Sequence, residues 1–366
     1  MLTIHVGLHK TGSTAIQQYL DSAPAKTKRR LIYLGTGGLL GKDGFQPTSG
    51  GERSEVLRMA ATGKNVVISS EGFLGRGWNM YPNARQFAAA ICDYLSGETD
   101  FQVVIFLRPQ YEWFESAYTQ VIQEGNTTHA SHFTSELMEA KYSRYCLLID
   151  DLIDEIGAIR LVVRAYRPGS NVVAEFLDIL NLPAYSAVEN WSQNNRSINP
   201  AQVEILRSLN DQTSDPLLRL QGRWLLQHKV GSREFLRLSP IPTALQEQLI
   251  ELTQSDWGQL VQRIRNTRLS QPQDFELIAQ QSLSASVKPF VGDDRLGTAI
   301  RFEAGGILAA AAPVAWREDR RFVPRMKRTL RRASERAASD PRGAIPAAVR
   351  FLRHKLDFWR WQQSLD

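Results

Sequence analysis

Residues 7 to 14 read Gly-Leu-His-Lys-Thr-Gly-Ser-Thr. A lysine framed by two glycines and followed by hydroxyl residues has the chemistry of an anion cradle. Gly7 and Gly12 let the backbone turn tightly and approach a ligand. If a helix opens at residue 13, the amides of Thr11, Gly12, Ser13 and Thr14 point at a bound anion, and the helix dipole adds to the attraction. The position of the lysine decides which anion. In a Walker A loop the lysine directly follows the second glycine. Here Ser13 follows Gly12 and Lys10 stands two residues before it, a poor fit to a nucleoside-triphosphate loop. Three further residues could do chemistry. Glu71, in Ser69-Ser70-Glu71-Gly72, could take a proton from a hydroxyl or amine. Arg108 can grip a phosphate through two parallel N–H bonds, and Ser116, eight residues on, can add a hydroxyl donor.

The elements that must position these groups can be read from the same stretches. Leu2 to Val6, Asn65 to Ser69 and Phe101 to Leu107 are short, nearly continuous apolar runs, which fit parallel strands covered on both faces. A helical pattern from Ala15 to Leu20 follows the first. Between the second and third, Asn83 can cap a helix with Phe87, Ile91, Tyr94 and Leu95 on one face and Gly97 beyond its end. A further strand, Ile159 to Ala165, precedes a buried helix, Val172 to Leu180. Strands alternating with helices predict an α/β fold with a doubly wound parallel sheet. Such sheets bind ligands beyond the carboxyl ends of their strands. Lys10, Glu71 and Arg108 each fall just past a predicted strand end, so three polar groups converge on one edge. The later chain is largely helical, with helices predicted over residues 200 to 209, 217 to 227 and 245 to 265. These would form a cover or a substrate-facing part.

The series resembles a bacterial family of sulfotransferases that use PAPS (3′-phosphoadenosine-5′-phosphosulfate). Its members carry His-Lys-Thr-Gly-(Ser/Thr)-Thr at the start, a Ser-Glu or Ser-x-Glu segment after a middle strand, and Arg-x7-Ser-x-Tyr. In this chain those are His9 to Thr14, Ser70-Glu71, and Arg108 with Ser116 and Tyr118. A later Asn-x-Ser segment matches Asn195-Arg196-Ser197, followed by the helix cap Asn199-Pro200. The likeness covers residues 1 to about 215, with its sharp motifs confined to loops. It implies a P-loop NTPase-like doubly wound sheet. It implies that His9, Lys10, Thr11, Gly12, Ser13 and Thr14 hold the 5′-phosphosulfate, with the Ser13 and Thr14 hydroxyls helping. Arg108 and Ser116 would hold the 3′-phosphate. Lys10 would neutralise the leaving charge, and Glu71, its pKa raised by partial burial, would accept the acceptor's proton. The product would be PAP, with no metal needed. A carboxylate base fits a carbohydrate or glycan acceptor.

The residues also support plainer readings. Glu71 could be a surface carboxylate or cap a turn, and Arg108 could end its strand and pair with Glu112. His9 could only shape the loop. His129 and His132 lie in a polar segment between helices and read as solvent-facing, and His5 reads as a core or edge residue of the first strand. No His/Cys/carboxylate cluster has metal-ligand spacing, so no metal is expected. Two rival functions remain: a P-loop small-molecule kinase, which would need ATP and Mg²⁺, and a noncatalytic protein that binds PAP or another nucleotide.

Composition bounds the setting. The 366 residues are 43% hydrophobic and 22% charged, ordinary for a globular enzyme. Cys92 and Cys146 are the only cysteines, which points to a reducing compartment rather than a disulfide framework. No apolar run approaches a membrane span, and the first strand begins at once, leaving no room for a leader. A cytoplasmic enzyme is expected. The last 54 residues differ. Residues 313 to 366 hold 14 Lys/Arg against 6 Asp/Glu, a net charge of +8, whereas the rest holds 30 against 32. The expected organisation is a sulfotransferase domain over 1–312 and a basic, partly amphipathic helical tail over 313–366. Within the tail, Ile345, Val349, Leu352, Leu356 and Trp359 form a helical stripe, with Arg350, Arg353, Lys355 and Arg360 mostly off it. That stripe could dock on the domain, or the basic face could attract a polyanion or an anionic membrane surface. Nucleic acid is disfavoured, because no recognised binding motif accompanies the charge.

Overall fold

A computed structural model describes residues 1–35, 40–41, 44–45, 50–95, 100–167, 170–183, 198–212, 239–268 and 271–283, with positions 219, 223, 226, 285, 287, 288 and 290. Asn195 to Ser197, Gly97, most of the helix expected over 217 to 227, and the tail from 313 with its boundary lie outside the described residues.

In chain order the elements are β1 (Leu2–Val6), α1 (Ser13–Ser22), α2 (Ala25–Lys28), β2 (Leu31–Tyr33), β3 (Leu40–Gly41), β4 (Gly44–Phe45), α3 (Gly50–Ala60), β5 (Asn65–Ser70), α4 (Ala84–Leu95), β6 (Phe101–Leu107), α5 (Gln110–Gln123), α6 (Ala130–Glu139), α7 (Tyr145–Ile156), β7 (Leu161–Ala165), α8 (Val172–Ile179), α9 (Pro200–Gln212), α10 (Thr243–Ile264) and α11 (Pro272–Leu283). The main sheet has the order β2-β5-β1-β6-β7, and each neighbouring pair is parallel. The chain winds outward to β2, returns to β5 beside β1, then crosses to β6 and β7. The winding therefore reverses about β1, which makes the fold an α/β doubly wound parallel sheet. β3 and β4 form a separate antiparallel pair.

Every residue of β1, β6 and β7 is buried, so helices cover both faces. On one face Ile16, Tyr19 and Leu20 of α1 and Val173, Phe176 and Leu177 of α8 pack over Val67, Val104, Phe106 and Val162. The same face carries a polar stripe. His5 Nδ1 bonds Ser69 Oγ at 2.8 Å, and Gln102 Nε2 donates to Thr3 Oγ1 at 2.9 Å. His5 is thus a core residue. It sits against the rings of Phe106 and Phe176, and burial holds its pKa down to about 3, so it is neutral.

Phe87, Ile91, Tyr94 and Leu95 of α4 are all buried, as their spacing predicts. β7 is shorter than expected. Ala158–Arg160 forms a 3₁₀ turn, and Ile159 is 75% exposed there rather than opening the strand. His129 precedes α6 and His132 lies within it, not in an extended loop. Both are exposed, and His132 pairs with Glu136 at 3.2 Å. No helix among the described residues is long and apolar enough to cross a membrane.

The chain divides into two compact units. Of the described residues, the first takes those within Met1–Val121, 129–183 and 241–290, and the second those within Ile122–Thr128 and 198–240. In the first, Asp256 of α10 binds the open amides of α7. Its carboxylate accepts from the amides of Tyr145 (2.7 Å) and Cys146 (3.0 Å) and from Gln110 Nε2 (2.5 Å), while Trp257 Nε1 donates to Gln110 Oε1 at 2.6 Å. In the second, Asn199 and Gln202 bond reciprocally through side chain and amide, a capping box that starts α9.

Candidate functional site

The register fixes where the loops leave the sheet. Val6 lies level with Ser70 and with Ile105 across the two central pairings, so Gly7, Glu71 and Arg108 all emerge at the carboxyl edge. The Gly7 amide still bonds the Ser70 carbonyl at 3.1 Å before the loop turns away. A Cβ on Gly7 would fall on the Ser13 hydroxyl and lie 3.2 Å from Glu71 Cγ. Gly7 is therefore glycine because the start of α1 and the Glu71 side chain crowd against its backbone.

The loop itself is tightly tied. The hydroxyls of Thr11 and Ser13 both turn back to donate to the Leu8 carbonyl, at 2.6 and 3.2 Å. Leu8 has left the strand ladder, so its carbonyl needs donors, and these two side chains provide them. The Ser13 hydroxyl is thus engaged inside the loop rather than turned outward, whereas Thr14 is exposed. Gly12 adopts φ 80° as the residue before α1, and a Cβ there would lie 2.7 Å from Val172 Cγ1. The amides of Gly12, Ser13 and Thr14 sit where helix geometry supplies no carbonyl partner, the kind of helix start that suits an anion. Lys10 has φ 68°, left-handed backbone that non-glycine residues adopt only when their surroundings impose it.

Arg108 meets this loop directly. Its Nη1 donates to the Lys10 carbonyl at 3.3 Å and its Nε pairs with Glu112 at 3.2 Å, while its guanidinium lies 5.6 Å from the Tyr166 ring centre. The plain reading of a pair with Glu112 is thus present. It uses only part of the guanidinium, which has five N–H donors in all. Ser116 is half-buried on the same face of α5 as Glu112, one turn further on. Glu71 is also half-buried; burial pushes the Tyr81 phenol pKa up, and the Glu71 charge adds to that.

His9 does not serve as a cation. Its ring lies 4.9 Å from that of Trp78 and 5.9 Å from that of Tyr81, with Gly77 pressed against it so closely that a Cβ would sit 2.6 Å from Nδ1. Burial, reinforced by the neighbouring Lys10 charge, holds its pKa down to about 4. The imidazole is neutral and wedged among aromatics, so what His9 offers the loop is its backbone. The His9 amide donates to Tyr81 Oη at 2.9 Å, and Trp113 Nε1 donates to the His9 carbonyl at 2.8 Å.

Sequence reasoning missed Tyr81, Trp113, Gly77, Trp78 and Tyr166. Tyr166 carried a usable signal, since it is the first residue past β7, as Glu71 and Arg108 are past β5 and β6. Its amide donates to the Leu107 carbonyl at 2.6 Å, which holds it beside Arg108. Tyr81 gave no such signal, because a left-handed aromatic before a proline runs against every local preference.

No protein-family model matches the chain. A curated protein of Archaeoglobus fulgidus, described only as uncharacterized, is 24% identical over 163 residues. That match covers 43% of this chain and 41% of the relative, so the chain spans less than half of that relative's length. Among solved structures, a sulfotransferase from Alicyclobacillus acidocaldarius is similar over 72% of this chain and 94% of its own, with 14% identity and a TM-score of 0.38. At that score the likeness fixes neither fold nor activity, and the geometry above stands by itself.

Proposed function

We propose that the chain is a sulfotransferase that moves a sulfuryl group from PAPS to an acceptor hydroxyl or amine, with a carbohydrate as the favoured acceptor class. The observation that carries this reading is the lysine-shifted loop at the carboxyl end of the central strand. Lys10 precedes the left-handed Gly12, Arg108 bonds its carbonyl from one neighbouring strand, and Glu71 approaches Gly7 from the other. A side chain at Gly7 would strike Ser13 and one at Gly12 would strike Val172, so the loop keeps its tight turn, and the helix-start amides of Gly12 to Thr14 suit a 5′-phosphate.

PAPS supplies an activated S–O bond to its 5′-phosphate. The chain's part is positioning and charge. Lys10 offsets the charge that grows on the leaving phosphate oxygen as that bond breaks. Glu71 accepts the proton of the attacking group as the new S–O bond (S–N for an amine) forms. The unused donors of Arg108, with Ser116, suit the 3′-phosphate. His9 contributes its peptide and not a charge, because its imidazole is neutral. A soluble enzyme acting in the cytoplasm agrees with the two free cysteines.

Titration calorimetry with PAP and with ATP, each with and without Mg²⁺, tests the reading. Metal-independent PAP binding, with ATP at least about a hundredfold weaker, is expected, since a difference of that size needs only one lost charged contact. Tight Mg²⁺-dependent ATP binding with indifference to PAP would make the kinase reading correct instead.

A further inference from the structure

The peptide that carries Lys10 is held by two side chains distant from it in sequence. Both backbone polar groups of His9 are taken: its N–H by Tyr81 Oη at 2.9 Å, its carbonyl by Trp113 Nε1 at 2.8 Å. Tyr81 and Trp113 are wholly buried, with ring centres 6.1 Å apart. Each is anchored by a different element. Trp113 lies in the first turn of α5, where its amide bonds the Pro109 carbonyl at 2.8 Å. Tyr81 lies in the segment between β5 and α4, three residues before the helix. There Met80 and Tyr81 adopt φ 50° and 57°, two consecutive left-handed residues without a glycine. Such backbone costs free energy and persists only where packing imposes it. Here it delivers the Tyr81 hydroxyl to the amide one residue before Lys10, itself left-handed.

We propose that Tyr81 and Trp113 are positioning residues that clamp the His9 peptide and so hold Lys10 ready for a bound anion. This rests on the reading that Lys10 meets the leaving phosphate. The physical gain is preorganisation: an anchored lysine and loop need not reorganise when charge develops. An untethered Lys10 would relax to ordinary right-handed or extended backbone and carry its ammonium and the following amides away.

The test uses the full chain with Tyr81→Phe, which removes one oxygen and keeps the ring, and Trp113→Phe, which removes the indole N–H. Hydrogen–deuterium exchange over residues 7 to 14 needs no ligand and reads the clamp itself. Loss of the Tyr81 partner should speed exchange there about tenfold, the size expected for one hydrogen bond. Calorimetry with PAP reads the purpose of the clamp. Tyr81→Phe should weaken PAP about five- to tenfold in the parent chain but less than about twofold in a Lys10→Ala background, because the two changes act on one contact. Unchanged exchange over residues 7 to 14 overturns the clamp, and so does an additive double-variant cycle. If the parent chain fails to bind PAP, the sulfotransferase reading falls. The exchange measurement then decides the clamp alone, faster exchange supporting it and unchanged exchange rejecting it. Should Trp113→Phe fail to fold, Tyr81→Phe still decides both arms.

Discussion

Lys10 and Arg108 are linked through backbone, not charge: the guanidinium holds the carbonyl of the residue whose ammonium is to act. That link changes what each substitution should do. Lys10→Ala should lower turnover far more than PAPS affinity, because its contact strengthens as the leaving charge develops; PAP, whose 5′-phosphate carries that charge in full, should also bind more weakly. Arg108→Ala should weaken PAP by about 1.5–3 kcal/mol, the cost of a charged hydrogen-bonding partner. It should also cut turnover modestly, since the Lys10 peptide loses a support. Glu71→Gln keeps the shape and removes the proton acceptor, so turnover should fall about 10²- to 10⁴-fold with PAP affinity intact. Kinetics on the three variants check the assignment. Near-normal turnover in Glu71→Gln would move the base elsewhere. The two buried histidines make a separate prediction. Their folded pKa values, about 3 for His5 and about 4 for His9, lie below the ordinary 6.5. Between those limits the unfolded chain binds protons that the folded chain refuses. The stability is therefore fully present above pH 6.5 and is lost as pH falls toward 4, at up to about 1.4 kcal/mol per pH unit for each ring. Urea midpoints measured from pH 7.5 to 5 should fall, and His9→Gln should remove about half of the slope contributed by the pair.

Among the elements, α7 shows what a sequence conceals. The residue before it, Arg144, has no side-chain oxygen to cap it, and the cap comes from Asp256, 111 positions beyond Tyr145. Burial raises the Asp256 pKa although it accepts hydrogen bonds from Cys146, Tyr145 and Gln110. Asp256→Ala would orphan the Tyr145 and Cys146 amides and take one of two acceptors from Gln110 Nε2, which keeps the Ser143 carbonyl. A loss of about 2–4 kcal/mol is expected, from a missing cap plus unsatisfied buried donors. Thermal melting should fall, while PAP affinity of the folded fraction should stay unchanged. The strands were legible because β1, β5 and β6 are nearly continuous apolar runs that a sheet covered on both faces can bury. The loop was legible because glycine spacing and the helix start are local. Ile159 was misread because it is an apolar residue beside a strand, and pattern alone cannot tell an exposed turn residue from the first strand residue. The bond from the Ser13 hydroxyl to Leu8 was not legible, since the carbonyl that attracts it leaves the strand ladder only once the loop is folded. Tyr81 and Trp113 depend on side chains meeting across 72 and 104 positions, a relation no local pattern encodes.

For the molecule as a whole, charge is the argument that remains. Every motif of the proposed cofactor site lies before residue 200, and the positive excess lies after residue 312, where 14 Lys/Arg face 6 Asp/Glu. Truncation after residue 312 would turn a chain of net +6 into one of net −2. We expect it to leave PAP affinity within about twofold, since screening at ordinary ionic strength confines a charge's influence to roughly 10 Å. The same truncation should abolish retention on anionic lipid vesicles or heparin. Retention of the full chain should fade as salt rises from 0.1 to 1 M and the Debye length shrinks from about 10 to about 3 Å. The opposing expectation follows from the stripe Ile345, Val349, Leu352, Leu356 and Trp359, whose apolar spacing would let it bury against the rest of the chain. In that case truncation would expose apolar surface and lower the melting temperature, with loss of PAP binding. Melting and calorimetry on the shortened chain separate the two, because a solvated basic appendage predicts neither change.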